Sequence, residues 1–249
     1  MRTFGLIGFP LKHSFSKRYF SEKFLKEGLH YCQYEMFEID EIGKFPQVLS
    51  SNPQLVGLNV TIPYKEKVIP YLDDLEPGCR LIGAVNTIKV AGDKLVGFNT
   101  DYIGFKQSLL NWLPTQSVKA IILGTGGASR AVKQALHDLS IPFLMVSRTQ
   151  SEQQGTVNYH TLDQNPDILH EYRLIINTTP LGTFPNTEQM PPLPVRQLSP
   201  QHLVYDLVYN PETTQLMKAV LDAGGMAKNG LEMLHLQAEA SWEIWNRDL

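Results

Sequence analysis

The stretch from Ile121 to Ala131, IILGTGGASRA, restricts what this chain can fold into more than any other. An apolar run too short for a helix precedes it, and a helix-spaced segment follows. Short apolar runs bounded by glycine read as buried strands. Gly124 permits the tight strand-to-helix turn. Gly126 and Gly127 let a phosphate approach the backbone, where the helix N-terminus supplies N–H donors and a positive dipole end. The usual spacing is G-x-G-x-x-G; here Gly127 is an extra glycine and Ser129 stands in place of the third. Ser129 fits if the helix sits slightly farther from the strand, with its hydroxyl capping the helix or contacting phosphate.

The next strand ends in VSRT. In dinucleotide-binding folds an acidic residue at that point selects the ribose 2'-hydroxyl of NAD, whereas an arginine pairs with the 2'-phosphate of NADP. Arg148, flanked by Ser147 and Thr149, therefore favours NADP(H) as cofactor. An exposed arginine closing a strand is the plainer alternative.

Strand and helix patterns alternate along the rest of the chain. Phe4–Ile7, Tyr34–Ile39 and Val56–Ile62 read as strands, and Ser16–Glu27 as an amphipathic helix. Asp40–Leu49 reads as a helix opened by an acidic cap. Pro63 suits a first helical position and so puts Lys65 in a first helical turn. Ala84–Val90 and Leu95–Phe98 read as a hairpin around Ala-Gly-Asp. Thr100 is a plausible N-cap for the helix TDYIGFKQSLLNWL. Strands follow at Ala120–Leu123, Phe143–Val146, Leu174–Ile176 and Leu203–Leu207, with a helix at Ser129–Leu139 and a proline-rich loop after Pro180. In the last helix Leu231, Leu234, Ala238, Trp242 and Trp245 recur at helical spacing, with Gln237 at the edge of that stripe. This alternation predicts an α/β fold with mostly parallel sheets, in two domains with a ligand cleft between them.

Composition narrows the partners. The 249 residues are 43% hydrophobic and 19% charged, with a net charge of -3. A phosphate-backbone binder usually carries a basic excess, so nucleic acid is not expected. No apolar run approaches the ~20 residues of a membrane span. The apolar patch in MRTFGLIGFP is too short for a secretion signal, so a cytoplasmic protein is expected. Cys32 and Cys79 have no C-x-x-C partner, and no metal site is expected.

The first hundred residues carry polar groups at strand ends and helix starts: Ser14 and Ser16, Thr61 and Lys65, Asn86, Asn99, Thr100 and Asp101. Singly, each has a plain reading as a cap or a solvated face. Lys65 is less easily dismissed, because a cation in a first helical turn meets the wrong end of the dipole. Together they offer hydroxyls, amides, a lysine and a carboxylate to a small polyol.

The stretches GFPLKHSFS, NVTIPYKEKV, GAVNTI, GFNTD, GTGGASRA, SRT, NTTPLG, YDLVYNP and NGLEMLHLQA, in this order, resemble the shikimate dehydrogenase family over nearly the full chain. The resemblance implies an N-terminal α/β substrate-binding domain (1–101 with 230–249) and a Rossmann-like NADP-binding domain (102–229). It implies reversible NADPH-linked reduction of 3-dehydroshikimate to shikimate, by a monomer or homodimer, in aromatic amino-acid biosynthesis. Ser14 and Ser16 are then expected to bind the substrate carboxylate. Thr61, Asn86 and Gln237 would bind its hydroxyls or ring substituents, with Tyr209 nearby, and Lys65 and Asp101 would form the catalytic pair. Gly124 to Ser129 would hold the pyrophosphate, Ser147, Arg148 and Thr149 the adenosine phosphate end, and Thr178, Leu207 and Gly230 would lie near the nicotinamide. A dual quinate/shikimate dehydrogenase and a non-catalytic nucleotide-binding regulator are the alternatives. The chain departs from the family at Ser147 (usually Asn), at Glu232 (often Gly) and after Thr149, where no second cation follows and the shortened crossover is expected to be a loop.

Overall fold

The apolar runs of the first hundred residues form one sheet and those after the glycine turn form another. The computed structural model describes residues 1–11, 14–115, 117–148 and 155–248. The chain divides into two units, Met1–Thr100 with Ala238–Leu249, and Asp101–Gln237.

In the first unit the elements are β1 (Arg2–Gly8), α1 (Phe15–Lys26), β2 (Cys32–Glu38), α2 (Phe45–Ser51), β3 (Leu55–Val60), β4 (Asp74–Leu75), α3 (Pro77–Ile82), β5 (Thr87–Ala91) and β6 (Lys94–Phe98). They build a mixed sheet in the order β2-β1-β3-β5-β6-β4. Helix-bearing crossovers make β1 parallel to both β2 and β3. The β5–β6 pair is antiparallel, and Gly92 takes a positive φ of 61° in its turn. Successive side chains of a strand point to opposite faces. Phe4 and Leu6 accordingly join Phe20, Phe24, Tyr34 and Trp245, while Ile7 joins Phe45, Leu58, Val60 and Ile88 on the other side.

Two expected helices differ here. The segment after Asp40 opens as a 3-10 turn at Ile42–Lys44, with Glu41 at its N-cap making no side-chain cap bond, and α2 begins only at Phe45. Asp40 instead pairs with Lys44. Residues 62–68 form turns and irregular backbone around Pro63, followed by a 3-10 turn at Ile69–Tyr71, so Lys65 stands in no α-helix. Pro63 can open a helix or a turn alike, and Pro70 removes an N–H that a helix continued from Pro63 would need. Lys65 therefore meets no helix dipole.

The second unit takes up the chain within α4 (Thr100–Trp112) and continues through β7 (Ala120–Leu123), α5 (Gly127–Asp138), β8 (Phe143–Ser147), β9 (Thr156–Asn158), α6 (Tyr159–Gln164), α7 (Pro166–Glu171), β10 (Leu174–Asn177), β11 (Leu203–Asp206), α8 (Gln215–Asp222), β12 (Met226–Asn229) and into α9 (Leu231–Asn246). Thr100 is the first helical residue rather than the cap. The described strands are all parallel, in the order β12-β11-β10-β7-β8-β9. Counted from β7 this is the doubly wound order 3-2-1-4-5-6, whose direction reverses between β7 and β10. A sheet covered on both faces needs continuous apolar strands, and β7, β10 and β11 are buried throughout. Ala120 and Ile122 pack with Phe105 and Leu109 of α4, Val132, Ala135 and Leu136 of α5 and Met233 of α9. Ile121 and Leu123 pack with Leu162, Leu169, Leu216, Met217 and Val220 from α6, α7 and α8. Among the described residues no helix is long and apolar enough to cross a membrane.

Candidate active site

The glycine turn lies at the C-terminal end of β7, at the reversal point of the second sheet. Gly124 has a φ of 103°, and a β-carbon there would stand 2.9 Å from Thr178 Oγ1. L side chains rarely adopt that conformation. Gly126 is the N-cap of the 12-residue α5 and brings no side chain to cap it. Among the described residues, and apart from the adjoining backbone, no atom lies within 4 Å of where a β-carbon of Gly126 or Gly127 would stand. The first N–H groups of a helix lack intrahelical acceptors and carry its positive end. An open, side-chain-free N-terminus of this kind fits the pyrophosphate of a dinucleotide, with Ala128, half-buried, in the first turn. Ser129 behaves differently from expectation. It is 3% exposed, and both its hydroxyl (2.6 Å) and its backbone N–H (3.1 Å) donate to the Gly126 carbonyl. Its donors close the turn itself rather than facing a phosphate.

Ser147 is buried at the end of β8, beside Asn158 of β9, and Arg148 follows it exposed. Burial pushes the Tyr159 phenol up to about 12, against the nearby positive charge of Arg148. Thr149 and the shortened crossover through residue 154 lie outside the described residues.

Past β10, Thr178 donates its hydroxyl to the Leu123 carbonyl at 2.7 Å. Past β11, the Leu207 N–H bonds the Asn177 carbonyl at 3.0 Å. Gly230 is buried, and a β-carbon would collide with the Leu207 carbonyl, so the chain's own backbone demands the glycine. Tyr209 is exposed on the same loop. Two residues not singled out from sequence organise these loops. Asp206, fully buried, accepts from Asn177 Nδ2 (2.9 Å), the Val208 N–H (3.0 Å) and Thr214 Oγ1 (2.7 Å). Burial pushes its carboxyl upward against those three bonds. Asn177 Oδ1 in turn accepts from the Thr179 N–H and hydroxyl. A single polar residue closing an otherwise apolar strand was the available signal.

In the first unit Ser14 caps α1, accepting the Lys17 N–H at 3.2 Å, which is its plain reading. Ser16, in the first turn of α1, lies beside the buried Tyr34 hydroxyl, whose acidity burial suppresses. Thr61 follows β3, its N–H on the Ile7 carbonyl. Lys65 is half-buried in its turn, and its carbonyl accepts the Val85 N–H at 2.7 Å. Asn86 is 3% exposed and held by Thr100: its Oδ1 accepts the Thr100 N–H at 2.6 Å, and its Nδ2 donates to Thr100 Oγ1 at 2.9 Å.

Asp101, in the second unit, is half-buried in the first turn of α4, where the helix dipole favours a carboxylate. Gln237 is 8% exposed and donates Nε2 to the Leu234 carbonyl. The buried face of α9 runs through Met233, Gln237, Ala240, Ser241 and Ile244. Gln237 thus lies within the stripe rather than beside it, and Leu231 is exposed. Glu232 is engaged as well: it accepts from Ser108 Oγ (2.9 Å), Asn111 Nδ2 (2.8 Å) and Lys228 Nζ. Burial works to raise its carboxyl, but these bonds prevail and hold it below the ordinary value.

Known proteins resemble this chain in sequence and fold. Residues 6–88 match the family model of the shikimate dehydrogenase substrate binding domain. The NADP(+)-dependent shikimate dehydrogenase of Desulforamulus reducens is 35% identical, over 97% of this chain and 88% of its own. The crystal structure of shikimate 5-dehydrogenase from Thermus thermophilus, in complex with NADP(H) and shikimate, superposes with a TM-score of 0.85 at 29% identity, over 99% of this chain and 94% of that one. That from Listeria monocytogenes, in complex with shikimate and NAD, gives a TM-score of 0.89 at 28% identity, over 100% and 92%. Motifs at strand ends, a glycine turn at the sheet reversal and relatives this similar along almost the whole length place one conclusion beyond the fold: the chain belongs to the shikimate dehydrogenase family.

Proposed function

We propose that this protein catalyses the reversible NADPH-linked reduction of 3-dehydroshikimate to shikimate. The observation that carries the reading is the open, uncapped N-terminus of α5 at Gly126 and Gly127, joined to a first unit whose polar residues suit a small carboxylated polyol. NADPH, when bound, supplies the hydride. The remaining work falls to the chain. Ser14 and Ser16 take the substrate carboxylate; Thr61, Asn86 and Gln237 take its oxygens, with Tyr209 nearby. Lys65, as ammonium, gives a proton to the carbonyl oxygen in reduction and, as amine, takes it back in oxidation. Asp101 completes the catalytic pair. Gly124, Gly126, Gly127 and Ala128 receive the pyrophosphate, with Ser129 shaping the turn. Ser147, Arg148 and Thr149 receive the adenosine phosphate end, and Thr178, Leu207 and Gly230 border the nicotinamide. We take the protein to be cytoplasmic and to act as a monomer or homodimer, without nucleic acid or membrane as partner.

The test is a spectrophotometric assay of nicotinamide reduction with shikimate or quinate, each offered with NADP and with NAD. Rapid turnover of shikimate with NADP is expected. No reduction of either cofactor by shikimate would refute the reading.

A further inference from the structure

A buried network of hydrogen bonds crosses the first unit from Tyr34 to Asn86. The Tyr34 hydroxyl donates to Asn59 Oδ1 at 2.8 Å. Asn59 Nδ2 faces Ser241 Oγ (3.0 Å), Thr87 Oγ1 (3.2 Å) and the Asn86 carbonyl (3.3 Å). Three hydroxyls close a triangle: Thr87 to Ser241 is 2.8 Å, Thr87 to Thr100 is 3.1 Å, and Thr100 to Ser241 is 3.1 Å. Thr87, Thr100 and Ser241 are fully buried, and Asn59 and Asn86 nearly so. The triangle draws on three elements: β5, the first residue of α4 and the last half of α9.

Resting on the reading that Asn86 touches the substrate, we propose that Thr100, Thr87 and Ser241 are positioning residues that lock the Asn86 amide with its nitrogen available to the ligand, so that this position selects an oxygen acceptor. Which end of an amide is oxygen follows from its partners. The Thr100 backbone N–H can only donate, so the Asn86 atom 2.6 Å from it is the oxygen. The same oxygen also lies 3.2 Å from Thr100 Oγ1 and 3.3 Å from Thr87 Oγ1. Its acceptor capacity is thus met within the protein. Of the two protons on Nδ2, one points to Thr100 Oγ1, and the other is what the side chain has left to offer. Flipping the amide would set NH2 against an N–H in a dry interior, where an unsatisfied donor costs more than a bond gains. Ser241 and Asn59 hold the two threonine hydroxyls from the far side, which makes the orientation a property of the fold.

The experiment compares Thr100→Val, Thr100→Ser and Ser241→Ala in the intact enzyme, by steady-state kinetics with each substrate varied. Thr100→Val keeps the backbone N–H and the side-chain shape but removes the hydroxyl. The expected result is a shikimate KM raised about tenfold or more, with the NADP KM changed less than about twofold. Thr100→Ser restores the hydroxyl and should return the shikimate KM to near its starting value. Ser241→Ala should show the same split in weaker form, and with Thr100→Ser it carries the comparison should Thr100→Val fail to fold. An unchanged shikimate KM in Ser241→Ala or in a folded Thr100→Val overturns the proposal. So does a matched rise in both KM values, which general loosening would produce. A wild-type protein that does not turn over shikimate overturns both this inference and the function it rests on, whereas an active wild type with unaltered variants overturns only this one.

Discussion

Gly104 of α4 lies directly against Met233 of α9: a β-carbon at Gly104 would stand 2.6 Å from the Met233 carbonyl oxygen and 2.9 Å from the Gln237 backbone nitrogen. Backbone atoms cannot swing aside as a flexible side chain can. Gly104→Ala should therefore cost about 1–3 kcal/mol through overpacking. In a chain of this size that lowers the melting temperature by about 2–4 °C for each kcal/mol. Because Gln237 shares the contact, the shikimate KM should rise as well. A thermal melt superimposable on the wild type would show that the two helices separate without cost.

Lys65 is the proposed proton donor and acceptor. Lys65→Ala should lower kcat by about 10²–10⁴-fold, the usual contribution of a general acid or base, with a much smaller change in the shikimate KM. Steady-state kinetics separates the two parameters. An unchanged turnover number would remove Lys65 from the chemistry.

Arg148 distinguishes the cofactors. Hydrogen bonds to a charged partner contribute about 1.5–3 kcal/mol, or about 10–100-fold in affinity. Arg148 is exposed, so solvent screening places the effect toward the lower end. Arg148→Ala should weaken NADP by about tenfold while leaving NAD nearly untouched. Equal losses for both cofactors would place the guanidinium away from the 2'-phosphate.

His202 makes stability depend on pH. Its Nδ1 accepts the Ser199 N–H at 3.0 Å, and its Nε2 faces the Leu169 carbonyl at 3.0 Å, so the buried ring is neutral. Burial lowers its pKa from 6.5, the Leu169 carbonyl works against that, and the neighbouring His170 and Arg173 lower it further. A base held below its unfolded pKa takes up its proton first in the unfolded chain. This contribution is therefore complete above about pH 6.5 and declines as pH falls from there toward the lowered value. Urea denaturation between about pH 8 and 5 should show that decline, and His202→Gln should flatten it. An identical slope in the variant would assign the decline to other groups.

The cofactor-binding sheet was legible in the sequence because its strands announce themselves. Ala120–Leu123 and Leu174–Ile176 are apolar runs between turn residues, and Gly124 marks the turn. Short elements with few apolar residues were not legible. α6 and α7 have six residues each, and β12 has the mixed sequence Met-Ala-Lys-Asn. Lys65 was misplaced because Pro63 opens helices and turns alike, and tertiary contacts decide between them. The candidate site residues were picked out through motifs, but the partners that hold their side chains were not. Ser241 reads as one polar residue in a helix, and only the fold brings it to Thr87 and Thr100, distant in sequence. Ser129 shows the reverse: its place in the motif was clear, while its bonds to Gly126 were not.

The Trp245 indole covers Gly57 and donates to the Ile88 carbonyl at 3.0 Å, in a core with Phe4 and Phe20. Removing a buried tryptophan of this kind costs about 3–5 kcal/mol. On the ribosome the chain emerges N-terminus first, at about 5–20 residues per second. Strands β1 to β6 are thus made before the second unit, yet the helix that covers them is completed only after it. The unit from Asp101 to Gln237 is continuous and holds its own core, so it can close while the earlier one still waits. The unit whose synthesis begins first is the one whose core residues are complete last.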